Sequence, residues 1–134
     1  MLIEADILFA HIKKSDPLKE AAEKVLRRIL DRDLRVEASS EVVDEVVIWH
    51  KSRGYVADHI KTVLSLISAI PIDYVPLTPE IAITALILTE EHGLSYFDSF
   101  HAATAISRPD KTIISSDEVF DGVPGLRRIH PRDL

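Results

Sequence analysis

The sequence contains no cysteine, which excludes disulfides, thiol nucleophiles and thiolate metal sites. Glycine is scarce: the four present form neither a GxGxxG run nor a GKT/GKS run, so no phosphate-cradling loop is encoded. There is no HExxH and no GxSxG, which sets aside zincin and nucleophile-elbow chemistry. Long apolar runs are also missing. The stretches VLSLISAI and AITALIL fall well short of the roughly 20 residues that cross a bilayer. The N-terminal MLIEADILFAHIKK has no basic leader, so a cytoplasmic protein without membrane association is expected. Positive charge is in deficit, with 16 Lys and Arg against 22 Asp and Glu, a net charge of −6. The field of the whole molecule therefore repels nucleic acid. Any nucleic-acid chemistry must rest on a local site, and acids that bind a divalent cation are one way to reverse the local sign.

What is present is a chain of 134 residues, 46% hydrophobic and 28% charged, the profile of one globular domain spanning 1–134. Apolar, β-branched runs alternate with segments of helical period, which predicts an α/β fold with a mainly parallel sheet. The pattern predicts strands over 2–9, 35–38, 72–77 and 112–115, with a last short strand at LRRI. Helices are predicted over 17–31, 40–53, 55–69, 78 to about 93, and 94–105. Asp16 and Pro17 mark the start of the first helix, Gly54 and Gly93 mark helix ends, and Pro76 limits an edge strand. In sheets of this kind, sites form outside the carboxyl ends of the strands.

Acids gather near those ends. Glu4 and Asp6, two residues apart in the expected first strand, would leave the same face. In the 40–53 helix, Val42, Val43, Val46 and Trp49 form the expected core stripe; Glu45 borders it, whereas Asp44 and Glu41 point to solvent. Taken alone, Glu45 is an ordinary boundary residue. In LSYFDSFHAATA, Ser95 and Asp98 make a Ser-x-x-acid capping box, which explains the acid without any function. The capping box does not explain why Asp98 leads the small-residue face of Ala102 and Ala105, which would bring the helix close to the sheet. Asp117, with Ser116, follows the apolar strand TIIS, where a turn or helix start also accounts for it. Asp121 is a weaker candidate of the same kind. His101 stands three residues after Asp98 and is expected to pack or to support the site rather than to form a metal motif of its own.

The order of these features, with "LSYFDSFHAATA" and "TIISSDEVFDGVPGLRRIHP", resembles the PIN-domain family of metal-dependent ribonucleases, specifically the small VapC-type toxins of prokaryotic toxin–antitoxin pairs. The resemblance runs along essentially the whole chain. It implies a three-layer α/β/α fold and a four-acid site that falls on Glu4 or Asp6, then Glu45, Asp98 and Asp117, with Ser116 at a small hydroxyl position. Family members usually begin with an aspartate followed two residues later by a polar residue; here Glu4 and Asp6 occupy those positions, so either or both could be the first ligand. It further implies Mg²⁺ or Mn²⁺, hard ions suited to oxygen ligands, an RNA substrate, a homodimer and a cognate antitoxin. Three other readings start from the same acids. A PIN fold that has lost catalysis would act as a binding module. A haloacid dehalogenase-type phosphatase would need an aspartate nucleophile where this chain has Glu4. A response-regulator receiver would need a lysine that TIISSDE does not supply.

Overall fold

The computed structural model describes residues 1–134. Five short strands, β1 (Leu2–Ile3), β2 (Glu37–Ser39), β3 (Asp73–Val75), β4 (Thr112–Ile114) and β5 (Arg127–Ile129), form one parallel sheet in the order β3-β2-β1-β4-β5. Helices make the crossovers: α1 (Ala5–Ile12) and α2 (Lys19–Leu30) lead to β2, and α3 (Glu41–Ser52) and α4 (Ala57–Ser68) to β3. The crossover to β4 is made by α5 (Pro79–His92) and α6 (Tyr96–Ile106). A short 3-10 helix, Glu118–Gly122, joins β4 to β5.

Side chains alternate across the sheet and divide the core in two. Ile3 and Ile114 are register partners and join the cluster built from α1, α2, α3 and α4. Their neighbours Leu2 and Ile113, also paired, face the cluster built from α5 and α6. The sheet is thus covered on both faces, giving the expected three layers. Ala102 and Ala105 are fully buried, and α6 lies against β2 and β4 as the small-residue face predicts.

Local chemistry explains several element ends. Thr78 accepts from Ile81 N, Pro79 follows it, and Gly93 closes α5 in the left-handed conformation at φ 66°. Gly54 takes φ 77° just beyond α3. Pro76 ends β3, an edge strand. Asp16 does accept from Leu18 N at 2.8 Å, but the regular helix starts only at Lys19.

Two expectations are corrected. The first strand is two residues long rather than running from 2 to 9, and α1 begins at Ala5. Residues 7–10 are buried because α1 lies under the sheet and against α2 and α3, and an all-apolar segment of that length reads equally well as strand or buried helix. Glu4 and Asp6 therefore do not share a strand face: Glu4 is the N-cap residue of α1 and Asp6 lies in its first turn. In α3 the buried residues are Val42, Val46 and His50, while Val43 is exposed and Trp49 partly buried. The stripe is rotated because His50 turns inward and satisfies its Nδ1 on Val46 O at 2.7 Å.

Candidate functional site

From β1 the chain crosses to β2 on one side, while β4 lies on the other. The crevice beyond the carboxyl ends of β1 and β4 is thus a topological switch point, where open α/β sheets bind ligands. Glu4 directly follows β1, and Ser115, Ser116 and Asp117 directly follow β4. Glu4 N continues the sheet pairing by donating to Ile114 O at 3.1 Å, which fixes the two strand ends side by side.

The side chains follow from that pairing. Ser115 Oγ donates to Glu4 Oε2 at 3.1 Å and in turn accepts from Asp117 N at 2.9 Å. Ser116 binds Asp6 Oδ2 twice, through its backbone N at 2.7 Å and its Oγ at 2.6 Å. Asp6 Oδ1 is buried without a partner. Asp117 caps the 3-10 helix by accepting from Val119 N at 3.0 Å. From the far side, Glu45 projects from α3 and lies 2.8 Å from His101 Nε2, whose ring is fully buried on α6. With Glu45 ionised, Nε2–H is the donor, which leaves Nδ1 buried and unpartnered. Asp98 caps α6 through Ser95, whose Oγ accepts from Asp98 N and donates to Asp98 Oδ2 at 2.6 Å. Half of the expected capping box is therefore present: Ser95 caps the Asp98 N–H, but the Asp98 carboxylate binds the Ser95 hydroxyl rather than the Ser95 backbone N–H, and it lies half-buried beside Asp117, His101 and Glu45.

The electrostatics are those of an acid cluster. Burial, then the neighbouring Asp6 and Glu45, raises the Glu4 carboxyl well above the usual carboxylate range, with only Ser115 opposing. Burial also raises Asp98; the Ser95 hydroxyl and His101 oppose this, while Asp117 and Glu45 add to it. No lysine or arginine pairs with Glu4, Asp6, Glu45 or Asp98. Asp121 differs: Arg128 holds it through two bonds, at 2.7 and 2.9 Å, and lowers its carboxyl. That pairing gives Asp121 a counter-ion, which the other acids lack.

One oxygen or nitrogen each from Glu4, Glu45 and His101 lie within 4.8 Å of one another, close enough to hold a metal ion. Hard carboxylate oxygens, the orphaned Asp6 Oδ1 and the absence of a compensating cation fit a divalent ion such as Mg²⁺ or Mn²⁺. Three participants were not foreseen. Ser115 links Glu4 to Asp117, Arg128 braces Asp121 and reaches Ser115 O at 3.2 Å, and Glu41 is partly buried near His101 with its carboxyl raised by burial and Asp44. The serine pair after an apolar strand was the only sequence signal for the first of these.

The PIN-domain sequence model matches residues 1–126, nearly the whole chain. The protein belongs to the PIN domain family. PIN domains are generally nucleases, and the group Glu4, Glu45 and His101 of this PIN domain could hold a metal ion. Solved structures share the fold, two of them being toxin–antitoxin proteins. One is a toxin–antitoxin complex from Klebsiella pneumoniae, 19% identical, TM-score 0.66, covering 99% of this chain and 98% of that one. The other is VapBC2 from Rickettsia felis bound to a DNA fragment from their promoter, 16% identical, TM-score 0.72, covering 96% of each. No curated protein sequence matches this PIN domain significantly.

Proposed function

We propose that this PIN domain is a Mg²⁺- or Mn²⁺-dependent ribonuclease, the toxin of a VapBC-type toxin–antitoxin pair, acting as a single domain in the cytoplasm. The observation that carries the reading is the convergence of Glu4, Asp6, Glu45 and Asp98 from three separate elements on one crevice, with no cation to balance them. Glu4, Asp6, Glu45, Asp98 and Asp117 are the proposed ligands and catalytic acids, with Ser116 and His101 in support. Ser116 fixes the Asp6 rotamer and His101 that of Glu45. When bound, the ion activates a water for attack on the phosphodiester and stabilises charge on the phosphoryl oxygens. The chain's own part is to hold the carboxylates in place and to accept the RNA phosphate beside them. Because burial and mutual repulsion favour the protonated form of Glu4, loading competes with a proton and strengthens as pH rises.

The outer face of α5, where Ile83, Leu86 and Ile87 are exposed, supports pairing with a second copy. The likeness to toxin–antitoxin complexes supports an antitoxin partner. The test is cleavage of a labelled structured RNA with Mg²⁺, Mn²⁺ or EDTA, comparing the native protein with Asp98→Asn. Cleavage that requires metal and falls at least about 100-fold in the variant is expected, the scale on which removing a transition-state electrostatic group acts. Native protein that cuts nothing in either metal and binds no Mn²⁺ would refute the reading. The catalytically silent binding module, kept open by glutamate in place of aspartate at position 4, would then replace it.

A further inference from the structure

Helices α1 and α3 each carry an acid of the crevice near one end and an aromatic residue about one turn further on. Asp6 is followed by Phe9, a rise of about 4.5 Å along α1, and Glu45 by Trp49, a rise of about 6 Å along α3. The two rings meet with centroids 5.2 Å apart. From there a ladder of rings runs outward. Trp49 and Tyr55 are nearly parallel, 18° at 6.3 Å, and Tyr55 stacks on His59, 17° at 4.6 Å. Two cations lie over this array: the Arg53 guanidinium 3.8 Å from the Trp49 ring centre, and Lys13 Nζ 5.6 Å from it. Packing explains the inner members, Phe9 and His50, which are buried. It does not explain the outer ones, since Tyr55 is 44% exposed and Arg53 and His59 are exposed as well.

We infer that the Trp49–Tyr55–His59 ladder with Arg53 and Lys13 is a stacking platform for the bases of single-stranded RNA flanking the phosphate at the acid crevice. The inference rests on the ribonuclease reading and deepens it by placing a base-binding surface outside the acid crevice. Bases offer a π-face whatever their identity, so aromatic rings and guanidinium planes bind unpaired nucleotides without reading sequence. Arg53 has no carboxylate partner, and its contacts are Trp49 O and Ser52 Oγ. Its charge is therefore available to a backbone phosphate, a local basic site on an acidic molecule. Paired RNA would keep its base faces stacked within the helix and could not use the ladder.

Trp49 is the only tryptophan, so its emission reports on the platform directly. A 12-nucleotide oligouridylate is titrated into the full chain in EDTA, where no cleavage occurs, with Trp49 emission and the anisotropy of the labelled RNA read together. Saturable quenching is expected, with weaker binding of a blunt duplex. Tyr55→Ala should weaken binding about 5- to 150-fold, the loss of one base–aromatic stack. Tyr55→Phe should restore it, and Glu91→Gln on α5, in the other layer, should leave it unchanged. The inference is overturned by absent quenching, by Tyr55→Ala and Arg53→Ala variants that bind as the native protein does, or by duplex bound as tightly as single strand. Masking of Trp49 by a protein partner alone would overturn it too. Binding with these properties but no cleavage in Mg²⁺ or Mn²⁺ would remove the ribonuclease reading and leave the platform. Cleavage with unaltered Tyr55→Ala binding would do the reverse.

Discussion

Replacing Glu4 by glutamine should stabilise the metal-free protein while disabling the site, the opposite of what a buried substitution normally does. Glu4 is 6% exposed, and one of its carboxylate oxygens lies within 4.8 Å of ligand atoms of Glu45 and His101. Two like charges at 4.8 Å repel by about 3 kcal/mol at an effective dielectric constant near 20. Protonation limits the penalty, because keeping the group ionised costs at most about 1.4 kcal/mol per pH unit above its ordinary value, or ~4 kcal/mol at pH 7. Glutamine keeps the shape, still accepts from Ser115, and offers its amide to the neighbouring carboxylates. Allowing for imperfect geometry of that amide, the expected gain is about 1–3 kcal/mol at pH 7. For a chain of this length that is a Tm higher by ~4–11 °C.

The sign with pH is definite. A carboxyl raised on folding binds its proton more tightly in the native state, so native stability falls as pH climbs from the unfolded value through the folded one. The advantage of Glu4→Gln should therefore be near zero around pH 4 and grow toward pH 8. Urea denaturation in EDTA across that range measures it. Mn²⁺ should narrow the gap by stabilising the native protein more than the variant, since a ligand stabilises a fold in proportion to how much more tightly it binds the folded state than the unfolded one. A variant less stable than the native protein at pH 7 in EDTA, or a difference that does not change with pH, would refute the argument that Glu4 is held as a repelled, buried acid.

Two other substitutions test how the site is supported. Ser95→Ala removes the α6 cap and should cost about 1 kcal/mol in urea unfolding; because Ser95 Oγ also holds Asp98 Oδ2 at 2.6 Å, cleavage should fall by more than the lost stability accounts for. Arg108→Ala breaks the two-pronged pair with Glu37 that ties the end of α6 to the start of β2; about 1 kcal/mol of stability should be lost by the same assay, with cleavage per folded molecule unchanged.

The parts of this fold that were legible in the sequence are those fixed by contacts a few residues long. Ser95 and Asp98, Thr78 and Pro79, and Gly93 are local devices, and each lies where its chemistry puts it. The alternation that predicted a parallel sheet also survives, since each crossover needs its helices. What was hidden depended on long-range packing. Nothing near residues 5–10 distinguishes a buried helix from a strand, because the layers that cover α1 come from α2 and α3. The pairings Glu45–His101 and Glu37–Arg108 span 56 and 71 residues, beyond any periodicity argument. The inward turn of His50 arises from the bond to its own helix carbonyl, which a hydrophobic stripe cannot anticipate.

That division bears on the acids themselves. Asp117 has a sufficient structural reason for being where it is, as a cap, and Asp98 has a partial one, in the first turn of α6 on the Ser95 hydroxyl, so neither by itself points to chemistry. Glu4 has none. It follows β1 at the centre of the sheet, makes no side-chain cap, and is buried beside Asp6 and Glu45. Arg128, which reaches Ser115 O beside it, is occupied by Asp121. A fold selected for stability alone would place an apolar side chain or a cation there. The cluster is thus costly to the empty protein and becomes favourable only when something positively charged enters, which makes Glu4, the residue least explained by local rules, the strongest argument in this chain for a metal-binding function.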